Sequence, residues 1–246
     1  MRSTLVYDAP QRLFHAIFAF LFVGAFVIAK TVDDDSLLYV LHKMAGLLLA
    51  FAVCLRLVWG VVGSRYSKFS SFEFNPCALL SYFKGVATGD ERRWVGHNPA
   101  SSWLSLLLFG TALGLAGTGI LMSTGQKGAF DLEEIHELLA NAFVALALAH
   151  VAGLLLHTFR HRDSIALSML DGAKDASPPS EGIASSRPMV GIVFLACVVA
   201  FAAFLRFRYD VVRGTLALPW VTLQLGEEEK GGGKETAGEK GEEEDD

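Results

Sequence analysis

Residues 135–159 read IHELLANAFVALALAHVAGLLLHTF, with Glu137 the only acidic or basic side chain besides the histidines. At 1.5 Å per residue, a helix of this length reaches roughly 37 Å, enough to cross a hydrocarbon core of about 30 Å. His136 and His150 lie within it. Fourteen positions are close to four helical turns, so the two imidazoles share a face and stand about 21 Å apart along the axis. Ionisable groups inside a span are rare and costly, and mark a site by default. This stretch therefore predicts a membrane helix that carries a site at each of two depths.

The rest of the chain agrees. Of its 246 residues, 52% are apolar and only 19% charged, with mean hydropathy +0.40. A soluble domain carries about 25% charge. Four further apolar stretches, at 13–29, 37–62, 103–122 and 189–205, approach or reach spanning length. The fold expected is an all-α integral membrane helical bundle, four helices plus a fifth transmembrane helix. Asn98-Pro99 reads as an N-cap followed by a first-turn proline, opening the third span.

Charge sets the orientation. Basic residues gather in the joint at 65–102 (Arg65, Lys68, Lys84, Arg92, Arg93) and in the joint at 158–188 (Arg160, Arg162, Lys174, Arg187). The first joint instead holds Asp33, Asp34 and Asp35, and the third has one lysine and three acids. The positive-inside rule then puts the N-terminus in the cytoplasm. The first span has no cleavable signal pattern and reads as a retained signal anchor. Five spans place the C-terminus outside. Arg206, Arg208 and Arg213 stand against that step, and a fifth segment lying on the surface would leave the tail cytoplasmic. From Gly226 the chain is Glu-, Gly- and Lys-rich, the composition of a disordered acidic tail.

Several functions are disfavoured by composition. The net charge of −5 offers no global basic surface for nucleic acid. Cys54, Cys77 and Cys197 form no CxxC or CxxCH, which removes covalent c-type haem, thioredoxin-like chemistry and cysteine-ligated zinc.

Two more histidines complete the two depths. His42 opens the second span, at the outer level of His136. His15 lies near the cytoplasmic start of the first, at the inner level of His150. Each level thus offers one imidazole from the fourth span and one from another helix, which is what two bis-histidine haems in a bundle require. Zinc fits less well, because the ligands come as two distant pairs. Gly46, Ala140, Ala147 and Gly153 beside the histidines, and the glycines of the third span, would leave flat surfaces for a large planar group. They also suit ordinary small-residue helix packing. His157 is a competing inner ligand, and His161 reads as solvated. Arg12, three residues before His15, and Arg56 are candidates to pair with a haem propionate. Snorkelling and the positive-inside bias are the simpler account of both. His97 is a candidate for a propionate hydrogen bond or a quinone pocket, or is a plain interfacial residue.

These residues fall in a recognisable pattern. Val6 to His15 reads VYDAPQRLFH, His42-Lys43-Met44-Ala45-Gly46 follows, and Leu55 to Phe69 reads LRLVWGVVGSRYSKF. The chain resembles the prokaryotic cytochrome b561-like proteins, which include the cytochrome b subunits of nickel-iron hydrogenases. Arg56, Trp59, Gly60, Gly63 and Phe69 match that family's R-x-x-W-G-x-x-G-x-x-x-A-R-F, while its Ala-Arg reads Ser67-Lys68 here. Gly96 to Ala100 and the His136/His150 pair also match. The resemblance spans about residues 5–172. It implies a dihaem cytochrome b of the bacterial cytoplasmic membrane, with iron held by His15 with His150 (inner) and His42 with His136 (outer). It also implies exchange of electrons between the quinone pool and a redox partner, a periplasmic c-type cytochrome or a hydrogenase or reductase subunit. On this reading 1–172 is the four-helix dihaem domain and 173–188 a cytoplasmic linker. Residues 189–225 form the fifth membrane helix and an interfacial segment, and 226–246 the disordered tail.

The expected role is an electron-transfer cytochrome, alone or as a subunit of an oxidoreductase complex. Its rivals are a self-contained quinone oxidoreductase acting on a small donor such as superoxide, a membrane anchor whose haems are structural, and a transporter or channel. The acidic stretch Asp33 to Asp35 is suited to steering a lysine-rich partner.

Overall fold

In a bilayer every backbone polar group must be satisfied within the protein, so the apolar stretches become helices whose ends carry their own caps. In the computed structural model α1 is Ala9–Thr31, and the Asp8 carboxylate accepts from the Gln11 N–H at 3.0 Å. Helix α2 is Tyr39–Val62. Helix α3, Pro76–Thr88, starts at the Asn75 cap and stops at Gly89, whose φ of 90° only glycine adopts freely. Helix α4 is Pro99–Ser123, and the Asn98 side chain accepts from Ser101 N–H at 2.8 Å, as the Asn-Pro pair predicts. Helix α5, Leu132–His161, places Glu133 and Glu134 in its first turn and Arg160 and His161 in its last, each sign facing the favourable end of the helix dipole. Helix α6 is the single turn Ser168–Asp171, and α7 is Pro188–Arg208. The structure describes residues 4–89, 94–125, 130–162, 165–174 and 179–226. The expected acidic tail lies outside them from 227 on, as do Arg92 and Arg93.

Five of these helices, α1, α2, α4, α5 and α7, are long and apolar enough to cross a membrane. The chain is thus a multi-pass helical bundle. Helix α1 runs along α2, α4 along α5, α2 touches α4, and α7 packs outside on α1 and α2. The core joins Phe14, Leu49, Ala52, Val53, Phe109 and Phe143 to Phe194 and Val198 of α7. Gly191 permits the close crossing of α7 over α1, because a Cβ there would stand 3.0 Å from the Ala9 Cβ. Large apolar side chains such as Phe20 and Phe159 point outward, as lipid-facing residues do.

Helix α3 and the short strands are not anticipated from the sequence. Strand β1 (Thr4–Leu5) pairs antiparallel with β2 (Ala173–Lys174), tying the start of the bundle to the segment after α6. Strands β3 (Tyr209–Asp210), β4 (Thr215–Ala217) and β5 (Thr222–Gln224) form an antiparallel sheet after α7. Its Leu216 and Leu223, with Leu225 beyond β5, bury against Val40 and Leu205, so it caps the end of the bundle where α2 begins.

Candidate functional site

The bundle brings the four histidines together as two pairs. His15 of α1 faces His150 of α5, with ring centroids 6.2 Å apart and planes at 55°. His42 of α2 faces His136 of α5 at 6.4 Å and 70°. No hydrogen bond joins the rings of either pair among the described residues. A metal ion held by a ring nitrogen at about 2 Å lies roughly 3 Å from that ring's centroid, so two rings about 6 Å apart can share one ion between them. Among the described residues no three His, Cys, Asp or Glu side chains gather as a metal cage. His157 lies instead against His161, at 4.5 Å.

The outer pair is oriented from behind. His42 Nδ1 lies 2.9 Å from the Ala25 carbonyl of α1, an atom that only accepts, so Nδ1 carries the proton. His136 Nδ1 lies 2.7 Å from the Thr118 hydroxyl of α4. That hydroxyl gives its single proton to the Gly114 or Leu115 carbonyl, so it accepts from His136. In both rings Nε2 has no hydrogen-bond partner among the described residues. Fixing one imidazole nitrogen to a backbone or hydroxyl oxygen while the other faces a metal is the usual arrangement of ligating histidines. The inner pair has no such support among the described residues, and His15 and His150 are both exposed.

Space beside the rings fits a broad planar group. A Cβ added at Gly46, one turn after His42, or at Gly153, three residues after His150, would meet nothing within 4 Å. The same holds at Gly24, Gly110 and Gly117. Between the two levels the packing closes. Phe143, seven residues from each α5 histidine, is buried and lies against Phe22 and Phe18, with centroids 4.3 and 5.7 Å away.

The remaining candidates cluster around the end of the bundle that holds His15 and His150. Arg56 is buried over the rings of Phe69 and Phe109, at 5.3 and 5.8 Å, and its Nη1 has no hydrogen-bond partner among the described residues. His97 lies against Phe72, with ring centroids 4.2 Å apart and planes tilted by 39°, and its Nδ1 is likewise buried without a partner among the described residues. Burial, then the charges of Arg56 and Lys174, hold its imidazole down to about 3. Buried donors without partners are rare in proteins, and here they leave places for an anionic or carbonyl oxygen. Arg12 is engaged otherwise. Its guanidinium donates to the Leu170 and Asp171 carbonyls and clasps α6, while its Nε is buried and unpaired.

Asp8 is a functional candidate that the sequence reading passes over. It is fully buried and accepts from Gln11 N–H, from Trp59 Nε1 at 3.0 Å and from the Ser67 hydroxyl at 2.9 Å. It also supplies the negative charge that acts on Arg56. Asp8-Ala9-Pro10 carries the same cap-and-proline signal as Asn98-Pro99, and that signal would have found the cap. The partners at Trp59 and Ser67 come from distant sequence.

Residues 6–172 match the family model described as prokaryotic cytochrome b561. The match ends at Gly172, where the chain closes on itself beside Arg12, and leaves α7 and the β3–β5 sheet outside. Comparison with curated proteins and with solved structures gave no match.

Proposed function

The chain belongs to the prokaryotic cytochrome b561 family, and from that premise we propose that it carries electrons across the bacterial cytoplasmic membrane on two b haems. The observation that carries this reading is the pairing of rings at 6.2 and 6.4 Å, at two levels of a single helix. Bound haem b supplies one-electron redox chemistry. The protein's part is to hold and insulate it. His15 with His150, and His42 with His136, would hold the two haem irons. Ala25 and Thr118 keep Nε2 of the outer rings turned toward the metal position. The orphaned donors of Arg56 and His97 suit propionate or quinone oxygens at the inner end, and Arg12 borders the same end.

Quinone is the proposed membrane-soluble redox substrate, and a periplasmic c-type cytochrome or an oxidoreductase subunit the proposed partner. The basic residues Arg65, Lys68, Lys84 and Arg160 lie at the His15/His150 end, which supports a cytoplasmic N-terminus. The test is a pyridine haemochrome assay with reduced-minus-oxidised spectra on the purified protein and on H15A, H42A, H136A and H150A. Two haems b per chain, one of them lost or turned high-spin when either pair is broken, is the expected result. A folded preparation without haem would overturn the proposal.

A further inference from the structure

Outside the paired histidines, the structure holds a cleft of about 850 Å³ where the loop after α2 meets the segment leading into α7. Arg65 and Lys68 line it from the first side and Arg187 from the second, and Ser70, Ser71 and Ser185 also line it, with the Ser71 hydroxyl donating to the Lys68 carbonyl and the Ser185 oxygen accepting from the Arg187 N–H. Among the described residues no acidic side chain lines it. None of the three cations has a carboxylate partner among the described residues. Arg65 rests on the Tyr66 ring at 5.2 Å, and Arg187 adopts a left-handed conformation (φ 51°) as the chain turns into Pro188. Three positive charges on one cleft, none with a carboxylate partner among the described residues, make a receptor for a phosphate group.

The helix ends that lead out of this cleft are apolar. Val58, Val61 and Val62 at the end of α2 are exposed, as are Met189, Ile192 and Val193 at the start of α7. A free anion would use only the charges, whereas a lipid would use the charges and the apolar flanks together. Basic pockets between membrane helices on the cytoplasmic side suit anionic headgroups. The cleft also joins the matched core to a helix beyond it. We propose that this cleft binds the phosphate headgroup of an anionic phospholipid, with acyl chains along α2 and α7, and that the lipid fastens α7 to the four-helix core. The site's cytoplasmic placement rests on the orientation proposed above. The cleft itself does not depend on haem.

The full chain in neutral detergent would be given cardiolipin, phosphatidylglycerol, phosphatidylcholine or inorganic phosphate, one at a time. Native mass spectrometry would count the lipid retained, and the thermal midpoint would report stability. R65Q/K68Q/R187Q is the test variant, and R206Q/R208Q/R213Q, in and just after the last turn at the opposite end of α7, is the control. Wild type and control should retain an anionic lipid and melt higher with it, while the test variant binds at least about tenfold more weakly. Equal retention by the test variant would overturn the proposal. So would equal retention of phosphatidylcholine, which would mean a general lipid annulus, or displacement of the lipid by equimolar inorganic phosphate, which would mean a soluble-anion site. Haem spectra taken on the same samples separate the two proposals. Wild type without haem but with the charge-dependent lipid would sink the electron-carrier reading alone. Haem retained with lipid binding unaltered in the test variant would sink this one alone.

Discussion

Thr118 of α4 and His136 of α5 are joined by a hydrogen bond of 2.7 Å, and the Thr118 hydroxyl is in turn tied to its own helix at Gly114. This bond fixes which nitrogen of His136 faces His42. T118V keeps the side-chain shape and removes the acceptor. Loss of such a supporting bond typically costs about 10- to 100-fold in metal-site affinity. The expected outcome is a weakened outer haem, seen as about half the haem content after extensive washing, with the inner haem retained. T118S should behave as wild type. Equal loss of both haems, or of neither, would show that Thr118 does not orient His136.

How much of this site was legible can be argued from the same helix. The 3.6-residue period alone places His136 and His150 on one face, and the structure makes α5 a single continuous helix through both. Pairing with His42 and His15 follows from depth, because antiparallel helices of similar length bring those positions level. What could not be read is whatever depends on side chains meeting from distant segments. Thr118 looks like any small residue in a glycine-rich span. Asp8 gathers Trp59 and Ser67 from more than fifty residues away. Helix α3 did carry a local signal, Asn75-Pro76 with Gly89 after it. That signal is masked by the polar, basic character that marks the joint as a loop. The sheet after α7 has strands of two or three residues, too short for period-two alternation to register.

Phe143 fills the space between the two histidine levels and is almost fully buried against Phe22 and Phe18. F143A removes a large ring from a position that neighbouring side chains cannot easily fill. Such truncations cost about 3–5 kcal/mol in protein cores. The expected result is a clear drop in the thermal unfolding midpoint in detergent, with F143L falling about midway. A midpoint for F143A equal to wild type would mean that this centre collapses without cost.

Asp8 accepts from three donors, the buried Gln11 N–H, the half-buried Trp59 indole and the buried Ser67 hydroxyl. D8A orphans the Gln11 N–H and the Trp59 indole, leaves the Ser67 hydroxyl to Gln11 Oε1 at 2.8 Å, and leaves Arg56 without its opposing charge. Each unsatisfied buried donor costs about 1–3 kcal/mol, so a total loss of about 2 kcal/mol or more is expected. D8N retains an acceptor oxygen but not the charge, and should fall between wild type and D8A. Denaturation midpoints of the three proteins give the ranking. D8N as unstable as D8A would assign the effect to charge rather than to hydrogen bonds.

His97 gives the fold a one-sided dependence on acid. In the unfolded chain its imidazole titrates near the ordinary 6.5, while in the folded protein burial and the charges of Arg56 and Lys174 hold it to about 3. Between those values the unfolded state binds a proton that the folded state refuses, so stability rises with pH across this window. The contribution is whole above about pH 6.5 and is lost progressively as pH falls toward about 3. Replacing the ring by a side chain that does not titrate removes the term. H97Q should therefore show a flatter decline in thermal midpoint than wild type from pH 6.5 downward, with the two curves parallel above it. Equal slopes below pH 6.5 would mean that His97 takes up its proton in the folded protein as readily as in the unfolded chain.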